Sequence, residues 1–136
     1  MDQLTIEICS PVFRPVSHDA VQIELPGEAG IFTVLPGHTP LLTTLGPGVV
    51  IVHTPNGEKH FYAVEGGFAE VGGDSVRVLA DDVVPSASID RVAAKAEHDR
   101  AAEGMKKAGV FPDPASAERA LIKARAWLQA ADRQDY

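Results

Sequence analysis

The side chains best suited to chemistry in this sequence are five histidines and a single cysteine. His53 and His60 flank Thr54-Pro55-Asn56-Gly57-Glu58-Lys59. Asn-Gly favours a type I′ turn, which needs positive φ at both central residues. A two-residue loop at Asn56-Gly57 pairs 55 with 58, 54 with 59 and 53 with 60, so the two imidazoles face each other across a ladder. A metal held there needs a third ligand and outer groups to orient it. The sequence offers none nearby, and a rim pair of histidines is the plainer reading. His38 sits in Pro36-Gly37-His38-Thr39-Pro40. Catalysis by it needs a matched nucleophile or carboxylate, and no Gly-x-Ser-x-Gly is present. A loop histidine bonded to backbone, or one at an interface, accounts for it. Cys9 has no base or helix start close by, so it reads as a packed small hydrophobe rather than a thiolate. Asp81-Asp82 reads as a solvated edge or turn before it reads as a cation site. Pro26-Gly27-Glu28-Ala29-Gly30 lacks the Lys-Ser/Thr and the following helix of a phosphate cradle. Nothing assembles into an active site, which favours a binding or mechanical role.

The totals agree. A chain of 136 residues is one domain with room for an appendage, and 45% hydrophobic content permits a real core. No apolar run approaches the roughly 18 residues that span a bilayer, and Met-Asp-Gln-Leu-Thr-Ile is no secretory signal. One cysteine allows no internal disulfide and fits a reducing compartment. A net charge of −7 argues against a general nucleic-acid binder. The charge is divided: residues 1–84 carry three Lys and Arg against eleven Asp and Glu, whereas residues 85–136 carry nine against eight. Such a division suggests two units with different partners.

The elements that must position these residues differ between the two parts. Leu4, Ile6 and Ile8 alternate with Thr5, Glu7 and Cys9, and Val21, Ile23 and Leu25 alternate again, the period of half-buried strands. Ile31 to Leu35, Val49 to His53, His60 to Val64, Phe68 to Val71 and Ser75 to Ala80 are further strand segments. The pairs Pro26-Gly27 and Pro36-Gly37, and Gly46-Pro47-Gly48, punctuate turns. Gly72-Gly73-Asp74 marks a second hairpin. The pattern predicts an antiparallel β-sandwich over residues 1–84.

Past Val84 the period changes. Ser86 or Ser88 is the expected N-cap of a first helix, with Asp90 in its first turn and Gly109 as its stop. Asp113-Pro114 is the expected start of a second. The short link predicts an antiparallel helical hairpin within residues 85–136. Ile89, Val92, Ala93, Ala96 and Met105 on one helix, and Ala117, Leu121, Ala124 and Leu128 on the other, are the expected contact faces. Full burial of a Leu or Val contributes only about 1.5–3 kcal/mol, so a hairpin with few of them is marginal alone. It either docks on another surface or changes shape.

Two blocks carry a family resemblance: Leu25 to Val50, LPGEAGIFTVLPGHTPLLTTLGPGVV, and the Glu65-Gly66-Gly67-Phe68-Ala69-Glu70-Val71 run followed by Val78-Leu79-Ala80-Asp81. Their order and spacing resemble the epsilon subunit of the rotary F-type ATP synthase, closely over residues 3–84 and more loosely in the tail. The resemblance implies a non-catalytic central-stalk subunit of a proton-translocating complex, on the cytoplasmic face of the bacterial inner membrane. It implies the gamma subunit and the c-ring as partners of the sandwich. It also implies an arm that reaches towards the alpha and beta subunits and restrains ATP hydrolysis. Glu28, Ala29, Gly30 and Ile31, in the Pro26–Phe32 loop, are the candidate ring contact. His38, Thr39, Leu41 and Leu42 are the candidate gamma or rim contact. Members that bind ATP carry Ile/Leu-Asp-x-x-Arg-Ala, where this chain reads Ile89-Asp90-Arg91-Val92-Ala93-Ala94, with Ala93 in the arginine's place. The expectation is no cofactor, with ATP at most a weak regulatory ligand of Ile89, Asp90, Arg100, Arg119 and Arg125. Two other readings stand beside this one: a stand-alone β-sandwich ligand-binding module with a helical oligomerisation tail, and a metalloenzyme using His53 and His60.

Overall fold

The computed structural model describes residues 3–12, 14–106 and 114–131. The strands are β1 (Leu4–Cys9), β2 (Val16–Ala20), β3 (Gln22–Gly27), β4 (Gly30–Val34), β5 (Leu41–Thr44), β6 (Gly48–His53), β7 (Lys59–Glu65), β8 (Phe68–Val71), β9 (Ser75–Leu79) and β10 (Asp82–Pro85). A short 3-10 turn, Ser86–Ser88, leads to α1 (Arg91–Lys106) and α2 (Pro114–Ala131). The first sheet has the order β2-β1-β9-β8-β5 and the second β10-β7-β6-β3-β4. Adjacent strands are antiparallel with one exception. β1 and β9 run parallel, Ile6 beside Val76 and Ile8 beside Val78, a pairing between the ends of the β region that local patterns do not announce.

The alternation that marks the strands places the core. Leu4, Ile6 and Ile8 of β1 and Val76 and Val78 of β9 are almost fully buried against Ile23, Leu25, Val50, Val52 and Val64 of the second sheet. The Gly66-Gly67 pair carries the chain from β7 in one sheet to β8 in the other with φ of 62° and 104°. A Cβ on Gly67 would stand 2.1 Å from the Leu79 carbonyl oxygen.

The proline-glycine pairs behave differently from one another. Leu35-Pro36-Gly37-His38 is a type II turn, with Gly37 at φ 82° and the His38 N–H donating to the Leu35 carbonyl. Pro26 and Gly27, by contrast, belong to β3, paired with Ile31 and Gly30. The turn falls one step later, at Glu28-Ala29. Pro26 is tolerated there because β3 pairs with β6 only over Gln22–Glu24, so no ladder hydrogen bond is demanded of it. Its ring lies against Gly48, where a Cβ would approach within 2.4 Å.

The β6–β7 hairpin is also shifted from expectation. His53 pairs with Lys59 and Val52 with His60. Gly57 alone takes positive φ, 88°, and its N–H donates to the Thr54 carbonyl. Pro55 presets the first central position of a type I turn, so Gly57 becomes the bulge residue that closes it. The Thr54 hydroxyl bonds Asn56 Oδ1 and accepts from the Glu58 N–H.

In the arm, Asp90 rather than a serine caps α1. Its Oδ1 accepts from the Val92 and Ala93 N–H groups at 2.9 and 3.1 Å. Ser86 and Ser88 are taken up by the 3-10 turn. The expected stop at Gly109 and cap at Asp113 lie outside the described residues, as do the side chains of Met105 and Ala117. The buried side of α1 is Ala94 and Ala101 with His98 half-buried. Val92, Ala93 and Ala96 face solvent instead, because Ile89 is anchored before the helix and Ala94 continues its contact. On α2, Ala124, Ala130 and Ala131 are buried, with Leu121, Trp127 and Leu128 half-buried. The two helices pack as a hairpin, and α2 lies on the outer face of the second sheet. Ala63, Ile89, Ala94, Ala130 and Ala131 form a second small core there, flanked by Val49, Val84, Trp127 and Leu128.

The crossing between sheets yields a direct test. Gly67→Ala should destabilise the chain by about 1–3 kcal/mol from backbone strain alone, with the clash against the Leu79 carbonyl adding to it. Gly73→Ala, where a Cβ meets nothing within 4 Å, should stay within about 0.5 kcal/mol of the parent. Urea-denaturation midpoints separate the two.

Candidate functional site

The β3–β4 loop is built by a close pairing. Gly27 faces Gly30, leaving Glu28 and Ala29 at the tip. Ile31 follows with 79% of its surface exposed. The tip is not loose. Glu28 Oε2 accepts from the Thr44 hydroxyl at 2.6 Å, and the Glu28 N–H donates to the Thr44 carbonyl. The candidate ring loop on the second sheet is thereby tied to β5, the edge strand of the first.

β5 also links this loop to the second candidate group. His38 Nδ1–H donates to the Thr39 carbonyl at 2.6 Å, the backbone-bonded loop histidine expected of its position. The Gly37 N–H donates to the Gly73 carbonyl, which fixes the loop beside the β8–β9 turn. Leu41 and Leu42 then open β5, with Leu42 70% exposed. So Glu28, Ala29, Gly30 and Ile31 stand at one end of β5, and His38 and Thr39 at the other, with Leu41 and Leu42 between.

Two residues missed in the sequence extend this face. Thr44 pairs with Phe68, and Phe68 with Leu79. Both Phe68 and Leu79 are large, apolar and about half exposed. The signal was available: Phe68 shares a strand phase with Glu70, and Leu79 with Arg77, so both stand on the polar side of their strands. An apolar side chain in the solvent phase is the informative exception.

The arm encloses a groove of about 740 Å³ between its helices and the second sheet. Glu65, Asp90, Glu97, Lys123 and Trp127 supply its polar and aromatic lining. Lys123 Nζ is 2.8 Å from Glu65 Oε2 and 5.3 Å from the Trp127 ring centre. Of the candidate nucleotide residues, Ile89 and Asp90 line this groove, together with Ala93. Ile89 is buried in the small core, and Asp90 holds the start of α1. Arg100 is paired with Glu97 at 2.6 Å. Arg125 lines a different groove, with Glu24, Glu28 and Ile122, between α2 and the β3–β4 loop. The side chain of Arg119 lies outside the described residues. The charged lining of the larger groove is thus three carboxylates and one lysine, already paired.

The histidine pair does not form across the ladder. The one-residue shift in register places His53 on the outer face, 3.0 Å from Glu24 Oε2. His60 points between the sheets and stacks on His18. Among the described residues no three His, Cys, Asp or Glu side chains converge on a common point suited to a metal. Cys9 is half-buried and its Sγ–H donates to the Val78 carbonyl at 3.6 Å.

The comparisons bear on the whole chain. The family model described as "ATP synthase, Delta/Epsilon chain, beta-sandwich domain" matches residues 3–86. The ATP synthase epsilon chain of Solibacter usitatus is 37% identical over 98% of both chains. That of Myxococcus xanthus is 42% identical over 78% of this chain and 77% of its own. Among solved structures, a chain in the Euglena gracilis mitochondrial ATP synthase superimposes with a TM-score of 0.82 at 24% identity. It matches 98% of this chain and 83% of that one, and at such identity it speaks for the fold. Sequence blocks, sandwich and arm agree, and the chain belongs to the ATP synthase epsilon-chain family.

Proposed function

We propose that the chain is the non-catalytic epsilon subunit of a proton-translocating F-type ATP synthase, joining the gamma subunit to the c-ring in the central stalk. The observation that carries this reading is the match to epsilon chains along nearly the whole length, sandwich and arm together. The geometry supplies the physical content. A part that transmits torque must be stiff, and here the two sheets are locked at the ring-loop end by Glu28 and Thr44. Its turns are restricted by proline. The β5 face, with Leu42, Phe68 and Leu79 exposed, offers apolar area to gamma, and the Glu28–Ile31 tip offers a carboxylate and an isoleucine to the ring. The complex is membrane-associated, and the chain sits with it at the cytoplasmic face of the bacterial inner membrane, held through its partners.

The arm is the regulatory part of this reading. Its hold on the sandwich rests mostly on alanines and on a Lys123–Glu65 pair whose side chains are about two-fifths exposed, a contact worth about 0–1 kcal/mol. Release of such an arm towards the alpha and beta subunits leaves the sandwich core untouched. Removing residues 87–136 should therefore leave a folded sandwich that still co-purifies with gamma, while ATP hydrolysis by the complex rises. A truncated chain that loses gamma, or hydrolysis unchanged by truncation, contradicts this assignment of roles.

The arm groove does not serve as a tight nucleotide site in this reading. Losing a charge-assisted phosphate contact costs about 1.5–3 kcal/mol. Here Ala93 replaces the motif arginine, Asp90 is spent on the helix cap, and Arg100 is held by Glu97. Titration calorimetry with ATP should give a dissociation constant no tighter than about 1 mM, or −4 kcal/mol. Micromolar binding would overturn the assignment.

A further inference from the structure

A second cluster lies at β2, the edge of the first sheet opposite β5. His18 is on β2, the edge strand of the first sheet, held laterally by β1 alone. Its side chain crosses to β7 of the second sheet. Its Nε2 lies 2.5 Å from the Tyr62 hydroxyl oxygen. Its ring stacks on His60 with centroids 4.3 Å apart and planes 24° from parallel. Tyr62 is buried, while both histidines are half-buried. Tyr62 pairs with Pro85, the last residue of β10, so the cluster also borders the point where the chain leaves the sandwich for the arm.

We propose that His18, His60 and Tyr62 form an acid-sensitive clasp that holds the edge strand β2 against the second sheet. At neutral pH the His18 ring is uncharged and its Nε2 accepts from the Tyr62 hydroxyl. A proton on His18 reverses that bond and puts a cation into a half-buried seam, on the face of another imidazole. The surroundings offer it little relief. β1 presents Ile6 at the paired position, and β6 presents Val52 opposite His60. Ser17 and Asp19 alternate to the exposed face of β2. Lys59 and Ser86 border the recess beside His60 and Tyr62. The nearby carboxylate, Glu58, stands 3.7 Å from His60 Nε2. Burial, and then the charge on His60, hold His18 below its ordinary value of 6.5. Burial likewise raises the Tyr62 phenol, keeping it a donor.

As pH falls through about 6.5 the unfolded chain takes up the His18 proton and the folded chain does not, so stability declines until the folded-state value is passed. Histidine ring signals of the full chain, followed by NMR from pH 8 to pH 5, should show His18 titrating below its ordinary value of 6.5. In His60→Gln its midpoint should move up towards the ordinary value. The thermal midpoint of the parent should fall more steeply from pH 7 to pH 5 than that of His18→Gln, which keeps a polar partner for Tyr62 and cannot titrate. A His18 midpoint at or above 6.5 in the parent overturns the proposal, whatever the variants do. Equal pH slopes in parent and His18→Gln overturn it as well.

Discussion

The second sheet is buried on both faces, and unequally. β7 carries the division in four consecutive buried residues: Tyr62 and Val64 belong to the large core, Ala63 to the arm-side cluster, and Phe61 shares the strand phase of Ala63. A near-continuous apolar run is what two-sided burial asks of a strand. The inner core draws on Leu, Ile and Val from eight strands, with Ala20 of β2 and a loop residue, Leu45. The outer one consists of four alanines and Ile89, with larger side chains only at its margin. At about 0.8 kcal/mol per buried methyl-sized group against about 1.5–3 for a Leu, Ile or Val, the inner contact decides whether the sandwich exists. The outer contact decides only where the arm rests.

That inequality organises the rest. A tightly bound arm would be a fixed third layer, and an arm without an apolar stripe would not dock at all. Here α2 spans the outer face from Glu65, where Lys123 reaches the end of β7, to the groove beside Glu28, where Arg125 stands. The docked arm therefore borders the same loop that Thr44 fastens to β5. The sandwich and the docked arm meet at the β3–β4 loop. Glu28 and Arg125 line one groove although they are about a hundred residues apart in the chain.

Much of this was legible in the sequence where a local rule had no competitor. Leu4-Ile6-Ile8 could only face one way, and Pro36-Gly37 could make only a turn. Where two rules competed, the obvious one did not always prevail. Asn56-Gly57 signals a two-residue loop, but Pro55 one position earlier selects the type I turn, and the one-residue slip sends His53 and His60 to opposite faces. Pro26-Gly27 signals a turn, but the Gly27–Gly30 approach extends β3 past it. Ser86 and Ser88 are good caps, yet Asp90 stands where burial of Ile89 starts the helix. The parallel β1–β9 pairing and the His18–His60 stack join residues more than forty positions apart, beyond the reach of periodicity. Phe68 and Leu79 were visible as apolar residues in a polar phase, a signal that a count of hydrophobic residues conceals.

An arm that leaves its seat while the sandwich stays folded requires sandwich and arm to be separate cooperative units. Native-state hydrogen exchange of the full chain measures it, because each amide reports the free energy of the opening that exposes it. Amides of α2 from Ile122 to Ala130 should exchange through an opening well below the global unfolding free energy, while those of β6, β7 and β9 exchange only by global unfolding. Equal protection in α2 and β7 would mean that arm and sandwich open together, and would contradict an arm that leaves its seat without unfolding the rest.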